Sequence, residues 1–433
     1  MLAALARRWR ASTWSWAPAS EREASEAIVR NFWLHWFPAK VSLRSASWSY
    51  SLWLGTATAC LFLILLVTGM LLMFFYVPAV SGAYWSVKDL AFAISFGWLL
   101  RNQHRVAAHL MVATTFLHMG RVFLTGAYRG PRSANWLIGV ALLLATLLLS
   151  FTGYLLPWDQ LAFWAVTVGT NIAREAPGVG EAVRFFLIGG NQIGQPTLLR
   201  FYVLHVFVLP LTVVVLVAIH LWRVRKDGGL ATLEVLRRER IARPREASTT
   251  RSYSLFGLTP GTSVQVRSST ELEEADTTFS APDLARRVAL VFLVVFNLTL
   301  VLSLLSNAPL EEAANPAVTP NPAKAPWYFL WLQELVAATT IRVGRIAVSG
   351  GLIGGILVPG ILLVLLAAWP FLDSSPASTE GIWFAPERRR QNLIFLVISL
   401  MIVALIVLGV SMRGPSWHFY WPWQTWPQAP SRF

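Results

Sequence analysis

The sequence predicts an all-α polytopic membrane protein in which a four-helix bundle is followed by three further transmembrane helices. Of its 433 residues, 55% are hydrophobic and 13% are charged, whereas a soluble domain carries about 25% charged residues. A membrane-spanning helix needs about 20 mostly apolar residues. Seven such runs occur, at 51–77, 104–124, 136–156, 201–222, 288–305, 347–369 and 392–410.

A long polar segment divides these seven runs into two groups. Residues 226–285 are rich in Arg, Glu, Ser and Thr and hold no run of spanning length, which predicts a cytoplasmic linker. It separates a four-helix domain (50–225) from a three-helix domain (286–412). The segment 1–49 mixes Trp, Arg and Ala, which is typical of an interfacial amphipathic arm and not of a secretory signal. The Trp- and Pro-rich tail, 413–433, is expected at the outer interface.

The net charge of +14 comes from basic residues that lie outside the apolar runs. Basic loops favour the cytoplasmic side of a membrane, and 25 of the 36 lysines and arginines fall on the side of the N-terminus when the spans alternate. We therefore expect an integral protein of a bacterial inner membrane, with its N-terminus cytoplasmic and its C-terminus on the outer side. The lipid bilayer, and no nucleic acid, is its expected surrounding. The single cysteine excludes an internal disulfide and a CxxCH motif.

Four histidines have nearly the same long spacing on two of the apolar runs. His104 and His118 are 14 residues apart, and His205 and His220 are 15 apart. On a helix that rises about 1.5 Å per residue, each pair is separated by roughly 21–23 Å, most of a hydrocarbon core of about 30 Å. Fourteen residues return almost to the same helix face, and fifteen return about 60° away from it. Short connections make the second and fourth spans parallel. The first histidine of one span therefore pairs with the first histidine of the other, and the second with the second.

This pairing predicts two bis-histidine haem b sites, one above the other. His104 and His205 are expected near the outer surface, and His118 and His220 near the inner surface. Two axial imidazoles give a low-spin electron-transfer haem. The alternative is that the histidines only pack, but ionisable residues inside a membrane are costly and usually functional. His109 lies about 140° around the helix from His104, so it cannot share that haem and is expected to pack.

Glycines repeat the same register on the first and third spans. Gly55 and Gly69 are 14 residues apart, as are Gly139 and Gly153. A glycine lets a flat macrocycle approach the backbone closely, so each haem is expected between one glycine of each span. Close packing of small residues between membrane helices is the alternative interpretation.

Three arginines stand near the edges of the two predicted haems. Arg101 and Arg105 flank His104, and Arg121 follows His118 by three residues. A guanidinium binds carboxylates in a bidentate manner, so these residues are candidate partners of haem propionates. Extension of the side chain toward the membrane interface is the alternative.

At these residues the sequence resembles a known family. The motifs FGWLLRNQHR, LHMGRVFLTGAY, TGYLLPWDQLAFWAVTV and TLLRFYVLHVFVLP resemble cytochrome b of the quinol-oxidising cytochrome bc complexes, and most of all its chloroplast-type b–f branch. The resemblance is dense over 45–230. Residues 285–415 are more loosely similar to the three-helix subunit of that branch, so both parts look fused in one chain.

The resemblance implies a role and partners. A membrane quinol is oxidised at an outer site, and one electron passes to a separate Rieske iron–sulfur protein and then to a c-type cytochrome or a plastocyanin-like acceptor. The other electron crosses the membrane through both haems to an inner quinone site. Protons are released outside and taken up inside, and family members are homodimers.

The resemblance also implies an outer quinol pocket. Its residues here are Tyr154, Pro157, Trp158, Trp164, Ala165, Thr167, Trp327 and Tyr328. The family has Pro-Glu-Trp-Tyr in the loop where this chain has Ala325-Pro326 before Trp327, so the glutamate that accepts the quinol proton is missing. We expect Glu334, about two helical turns after Trp327, to replace it as the base. An ordinary interfacial glutamate is the alternative.

Two further positions bear on cofactors and on the inner site. Arg225 matches a family arginine just past His220, and Lys226 and Asp227 are candidates for proton delivery, although topology alone also predicts basic residues there. The b–f branch carries an extra haem on a cysteine early in the first span. Trp53 stands at that position and Cys60 is two turns deeper, so no covalently attached haem c is expected.

Two other functions remain open at this stage. One is the dihaem membrane anchor of another respiratory oxidoreductase, such as a formate dehydrogenase or a nitrate reductase. Such anchors lack the LPWDQ–WAV segment and the PWY loop. The other is a haem-free transporter or scaffold, which leaves the matched histidines and glycines unexplained.

Overall fold

The computed structural model describes residues 40–43, 46–227, 277–279, 283–343 and 346–425. The first 39 residues of the predicted arm, most of the predicted linker and the last residues of the tail lie outside this part of the chain. The domain boundaries proposed for them therefore stay predictions.

The described chain is built from helices, as the sequence predicts. Their bounds are α1 (Trp48–Ser51), α2 (Leu54–Met73), α3 (Ala83–Phe92), α4 (Gly97–Leu124), α5 (Ser133–Tyr154), α6 (Gln160–Arg174), α7 (Gly180–Ile188), α8 (Gln195–Val203), α9 (Leu209–Lys226), α10 (Ala285–Leu305), α11 (Trp327–Thr339), α12 (Val358–Leu372) and α13 (Arg389–Ser411). Two short antiparallel ribbons pair β1 (Lys40–Ser42) with β2 (Thr277–Phe279) and β3 (Ile341–Val343) with β4 (Ile346–Val348).

Seven helical stretches of the described residues are long and apolar enough to cross a membrane, which confirms the polytopic all-α fold class. They are Leu54–Met73, Gly97–Leu124, Gly130–Tyr154, Gln195–Lys226, Ala285–Leu305, Gly351–Leu372 and Pro386–Ser411. The second, third, fourth and seventh begin six or seven residues earlier than expected. Polar residues interrupt the apolar runs there. In the second span, Arg101 and Asn102 hydrogen-bond to the loop that follows α10.

Four of the spanning helices form the bundle that positions the histidines. α2 packs on α4, and α5 packs on both α4 and α9. Between the two levels of histidines the helices bury a shared apolar core that includes Leu61, Ile64, Met111, Ala145 and Val213. α10 covers α2 and α4, whereas α12 packs on α5. The three later spans therefore pack around the bundle.

A π-helical turn joins α8 to α9 and resolves the unequal spacing of the histidines. It covers Leu204–Val208, and the Leu209 N–H bonds back to the Leu204 carbonyl, five residues earlier. Pro210, which has no N–H, follows at the start of α9. A π turn accommodates one residue more than an α turn. It therefore offsets the fifteenth residue between His205 and His220 and brings both onto one face.

A buried ionic cluster joins the last span to the bundle. The Arg388 side chain is fully buried and donates to the Phe123 carbonyl at the end of α4 (3.0 Å) and to the Tyr128 hydroxyl (2.8 Å). Its Nε lies 3.4 Å from an Asp373 carboxylate oxygen, which also accepts from Tyr128 at 2.6 Å. Cations are favourable at helix C-termini, so Arg388 both caps α4 and neutralises Asp373.

Replacing Arg388 with alanine should destabilise the protein strongly. The change removes the nearer of the two cations at Asp373, since Arg129 Nε remains 3.8 Å away, and breaking a buried ion pair costs about 3–5 kcal/mol. The exposed neighbour Arg390 provides the matched control, since Arg390→Ala should change stability by no more than about 0.5 kcal/mol. Thermal unfolding of both variants in detergent measures the difference. Equal unfolding temperatures for the two variants would contradict the role given to Arg388.

Candidate functional site

The bundle brings the four histidines together in two facing pairs. His104 of α4 faces His205 of the π turn with ring centroids 6.2 Å apart and ring planes inclined by 76°. His118 faces His220 with centroids 6.4 Å apart and planes inclined by 80°. Each pair joins the partners that the parallel arrangement of the two spans predicts.

The spacing within each pair fits one metal ion between two imidazoles. An imidazole nitrogen binds a metal ion at about 2.0–2.1 Å, so the centroids of two axial imidazoles on one metal lie roughly 6 Å apart. Both observed separations agree with that value. Two opposed imidazoles with apolar helices around them are the ligand set of an electron-transfer haem.

Hydrogen bonds orient the first pair for metal binding. His104 Nδ1 lies 2.8 Å from the Thr68 hydroxyl. His205 Nδ1 lies 3.1 Å from the Leu149 carbonyl and 3.2 Å from the Thr152 hydroxyl. A partner on one ring nitrogen fixes the ring and leaves the other nitrogen for the metal. Nε2 is therefore the ligating atom that this arrangement favours for both residues.

The four glycines lie behind the histidine rings. A Cβ atom would come within 2.4 Å of His205 Cε1 at Gly153, 2.9 Å of His118 Cε1 at Gly55 and 3.2 Å of His104 Cε1 at Gly69. At Gly139 it would lie 3.8 Å from His220 Cε1, an ordinary contact. Three of the glycines therefore admit the edge of an imidazole. The expectation that each haem lies between one glycine of each span stays a prediction.

Arg121 is a buried cation next to the second pair. Its side chain is only 4% exposed, and Nε and Nη1 have no hydrogen-bond partner among the described residues. An unpaired buried charge is very costly, so this position calls for an anionic group. A propionate of a haem held by His118 and His220 would be such a group, and this role of Arg121 stays a prediction.

The two arginines near His104 have different environments. Arg101 donates to the carbonyls of Ala308 (2.8 Å) and Pro309 (2.6 Å), which fastens the loop after α10 to the bundle. This structural role was not foreseen. Arg101 and Arg105 both line the cavity beside the first pair, as a partner of a propionate must.

A cavity of about 450 Å³ adjoins the first histidine pair, within the range of ligand pockets. His104, His205, Gly69 and Gly153 line one part of it. The rest of the wall includes Tyr154, Pro157, Ala325, Pro326, Tyr328 and Asp159. The haem position and three of the residues expected at the quinol pocket therefore share one continuous space.

Other residues expected at the quinol pocket support its wall from outside. Trp158 is buried in a core cluster with Leu198, and Trp164 donates its indole N–H to the Val318 carbonyl at 2.9 Å. The Thr167 hydroxyl bonds within its own helix, to the Phe163 carbonyl. None of these side chains, nor Ala165, is among the residues that line the cavity.

The role expected for Glu334 is not supported by its geometry. Glu334 is 2% exposed and is not among the residues that line the cavity. Both of its carboxylate oxygens accept from Arg413, at 2.9 and 3.0 Å. The carboxylate therefore joins α11 to the end of α13. The sequence could not anticipate this, because the arginine lies 79 residues further along the chain.

Asp159 and His109 line the cavity, although the sequence analysis did not assign them to the pocket. Asp159 caps α6, where it accepts the Ala162 N–H at 2.9 Å and the Glu311 N–H at 3.1 Å, and burial raises the pKa of its carboxyl. His109 accepts a hydrogen bond from the Trp327 indole at 2.9 Å. Burial also raises the pKa of Tyr328, to about 12, so this hydroxyl stays protonated at neutral pH.

The residues proposed for the inner quinone site are partly engaged elsewhere. Asp227 lies 3.0 Å from Arg223, one helical turn earlier. The Lys226 ammonium lies over the Trp222 ring, 4.9 Å from its centroid. Arg225 is at the exposed end of α9. Proton delivery by these residues stays a prediction.

The structure also includes the position at which the b–f branch attaches its extra haem. Trp53 is buried and precedes the first residue of α2. Cys60 lies in the apolar core of the bundle, where burial removes it from the surface of α2. The expectation that this chain carries no thioether-linked haem stays a prediction.

A membrane bundle that holds two stacked pairs of facing histidines is the architecture of a b-type electron-transfer cytochrome. Comparison with known proteins identifies the family. The model of Cytochrome b/b6/petB matches residues 40–228, and that of Cytochrome b(C-terminal)/b6/petD matches residues 313–425. The chain belongs to the cytochrome b/b6 family.

Relatives and a solved structure agree with this assignment. Cytochrome b6 of Tupiella akineta is 45% identical over 175 residues, which are 40% of this chain and 81% of the relative. Cytochrome b6 of Synechococcus elongatus is 43% identical over the same length and shares. A solved hyperthermophilic respiratory Complex III chain is similar over 86% of both chains, with a TM-score of 0.66 and 25% identity. The protein is thus an integral membrane cytochrome b subunit of a bc- or b6f-type complex, and its family implies b-type haem.

Proposed function

We propose that the chain is the dihaem cytochrome b subunit of a quinol:cytochrome c oxidoreductase. The observation that carries the proposal is the pair of facing histidine sites, with centroids 6.2 and 6.4 Å apart, the first of which adjoins the cavity. His104 and His205 hold the haem on the outer side, and His118 and His220 hold the haem on the inner side. When bound, the two haems supply one-electron transfer across the membrane.

The cavity at the first pair is the proposed site of quinol oxidation. Tyr154 and Tyr328 line it with phenol hydroxyls that can bond to a quinol oxygen. Arg105 and Gly153 line the same cavity as the two tyrosines. An electron therefore has a short path from a quinol in this cavity to the haem of the first pair. The other electron of the quinol passes to a Rieske iron–sulfur protein and on to a c-type acceptor. At the inner site beside Arg225, a quinone is reduced by the electrons that have crossed the membrane through the haems.

Partners and assembly are part of the same proposal. The match to a respiratory Complex III chain supports a membrane complex with Rieske and cytochrome c subunits, in the form of a homodimer. The orientation keeps the N-terminus in the cytoplasm of a bacterial cell. Oxidation outside and reduction inside then release and take up protons on opposite sides of the membrane.

Quinol added to the purified complex tests this function. We expect reduction of b haem and of an added c-type cytochrome, with inhibition by a quinone analogue that fills the cavity. A complex whose b haem is reduced by dithionite but never by any quinol would contradict the proposal.

Replacing Glu334 with glutamine should reduce stability and leave quinol oxidation nearly unchanged. Glutamine removes the charge of the buried carboxylate that pairs with Arg413. Breaking a buried ion pair by removing one partner costs about 3–5 kcal/mol. The rate per assembled complex should stay within about twofold, because the carboxylate does not line the cavity. Unfolding temperature and quinol:cytochrome c turnover, measured on the same preparation, separate the two effects. A stable variant with a greatly reduced rate would instead support the base role first expected for Glu334.

A further inference from the structure

His109 lies in the wall between two cavities. It lines the cavity of about 450 Å³ next to the first histidine pair, and it also lines a second cavity of about 350 Å³. Polar residues of the second cavity include Asn102, Ser306 and Asn307. Ser306 and Asn307 are exposed in the loop after α10, so this cavity leads from His109 to the protein surface.

The surroundings of His109 come from three separate parts of the chain. The indole N–H of Trp327 donates to His109 Nδ1 at 2.9 Å. The Tyr328 ring meets the imidazole edge-on, with centroids 5.7 Å apart. Arg105, one turn earlier on α4, lines both cavities. Packing alone accounts for the ring contacts, but it does not account for an imidazole placed where two cavities meet inside a membrane.

Of the carboxylates near the cavity, those of Glu334 and Asp159 are occupied, and Glu311, which also lines the cavity, is exposed. Glu334 is paired with Arg413, and Pro326 stands at the family position of the proton-accepting glutamate. Both Asp159 oxygens accept backbone N–H groups that hold the start of α6 and the loop at Glu311. Besides the two histidines of the first pair, His109 is the imidazole that lines this cavity within the described chain.

We propose that His109 accepts a proton from quinol in the larger cavity and releases a proton into the second cavity, in place of the missing glutamate. This inference rests on the proposed function. Trp327 donates to Nδ1, so the neutral ring carries its proton on Nε2 and is basic at Nδ1. A quinol hydroxyl replaces the indole as donor to Nδ1. Its O–H bond breaks and an Nδ1–H bond forms, while the electron pair stays on the quinolate oxygen.

The surrounding charges favour release of that proton. The imidazolium loses the Nε2 proton to water in the second cavity, which leaves a neutral ring with its proton on Nδ1. Water that takes up the Nδ1 proton and returns a proton to Nε2 then restores the starting tautomer. The guanidinium of Arg105 disfavours a second positive charge nearby and so speeds the release. Trp327 is a positioning residue in this scheme, and Tyr328 contributes a neutral hydroxyl.

Variants at His109 and Pro326 in the intact complex test the proposal. His109→Gln keeps a polar side chain but takes up no proton, so quinol oxidation should fall by about 100-fold. The rise of the wild-type rate with pH, as the imidazole loses its proton, should disappear. Pro326→Glu, added to His109→Gln, should restore at least about a tenth of the lost rate, because it returns a carboxylate to the family position. His418→Gln, an exposed histidine of the tail, is the matched control and should leave the rate unchanged.

Haem spectra decide how these rates are interpreted. Both b haems should remain in His109→Gln, and if that variant does not assemble, His109→Asn provides the same comparison. A His109 variant with both haems, the full rate and the wild-type pH profile would overturn the proposal. So would a slow variant that Pro326→Glu fails to rescue, since that result assigns His109 to packing. Absence of quinol oxidation in the wild-type complex would instead contradict the proposed function.

Discussion

Replacing His118 with leucine should leave about one haem per chain in place of two, with the remaining haem held by His104 and His205. A haem with one axial imidazole lost and an apolar side chain in its place has little left to hold it. The two pairs lie on opposite halves of the bundle with the core of Leu61, Met111 and Val213 between them. Loss of one site therefore spares the other.

The reciprocal change, His205→Leu, should remove the other haem. Haem extraction and a redox titration of each purified variant give the number of haems and the potential that is lost. The two variants should lose different potentials, and His418→Leu in the exposed tail should lose neither. Retention of both haems in His118→Leu would contradict the assigned ligand.

A single methyl group should separate two glycines of α5 that look equivalent in the sequence. The Cβ of Gly153→Ala would lie 2.4 Å from His205 Cε1 and 2.9 Å from its Nε2, so the ring must move. The Cβ of Gly139→Ala would lie 3.8 Å from His220 Cε1, which is ordinary contact. Overpacking of this kind costs about 1–3 kcal/mol, whereas alanine in place of glycine favours a helix by about 1 kcal/mol.

The expected results for the two variants are therefore opposite. Gly153→Ala should lose most of the haem of the first pair, and Gly139→Ala should keep both haems with equal or higher stability. Haem content and unfolding temperature, measured side by side, give the comparison. Equal haem content in both variants would show that His205 tolerates the displacement, and the role of Gly153 would have to be abandoned.

Much of the fold could be predicted from the sequence because a membrane requires long apolar helices. All seven spans were predicted in this way, and so was the pairing of His104 with His205 and of His118 with His220. The π turn could not be predicted. It depends on where the helix before Pro210 accommodates one extra residue. The spacing of 15 showed only that His205 and His220 would lie on different faces of a regular α-helix.

The quinol cavity was harder to predict because its wall is assembled from distant segments. Helical periodicity correctly kept His109 away from the haem ligands, but it gave no information on Trp327, which lies 218 residues further along the chain. Glu334 was assigned as a substitute for the family glutamate, which is missing at Pro326, from its place about two helical turns after Trp327. Its partner Arg413 becomes visible only when the end of α13 is placed beside α11.

The number of haems in the purified protein tests the central claim most directly. Two bis-histidine sites predict two b-type haems per chain in a pyridine haemochrome assay, with two separate potentials in a redox titration. Haem that resists denaturing electrophoresis is not expected, because Cys60 is buried in the apolar core. A preparation that is saturated with haem at one per chain, or that holds none, would contradict the account.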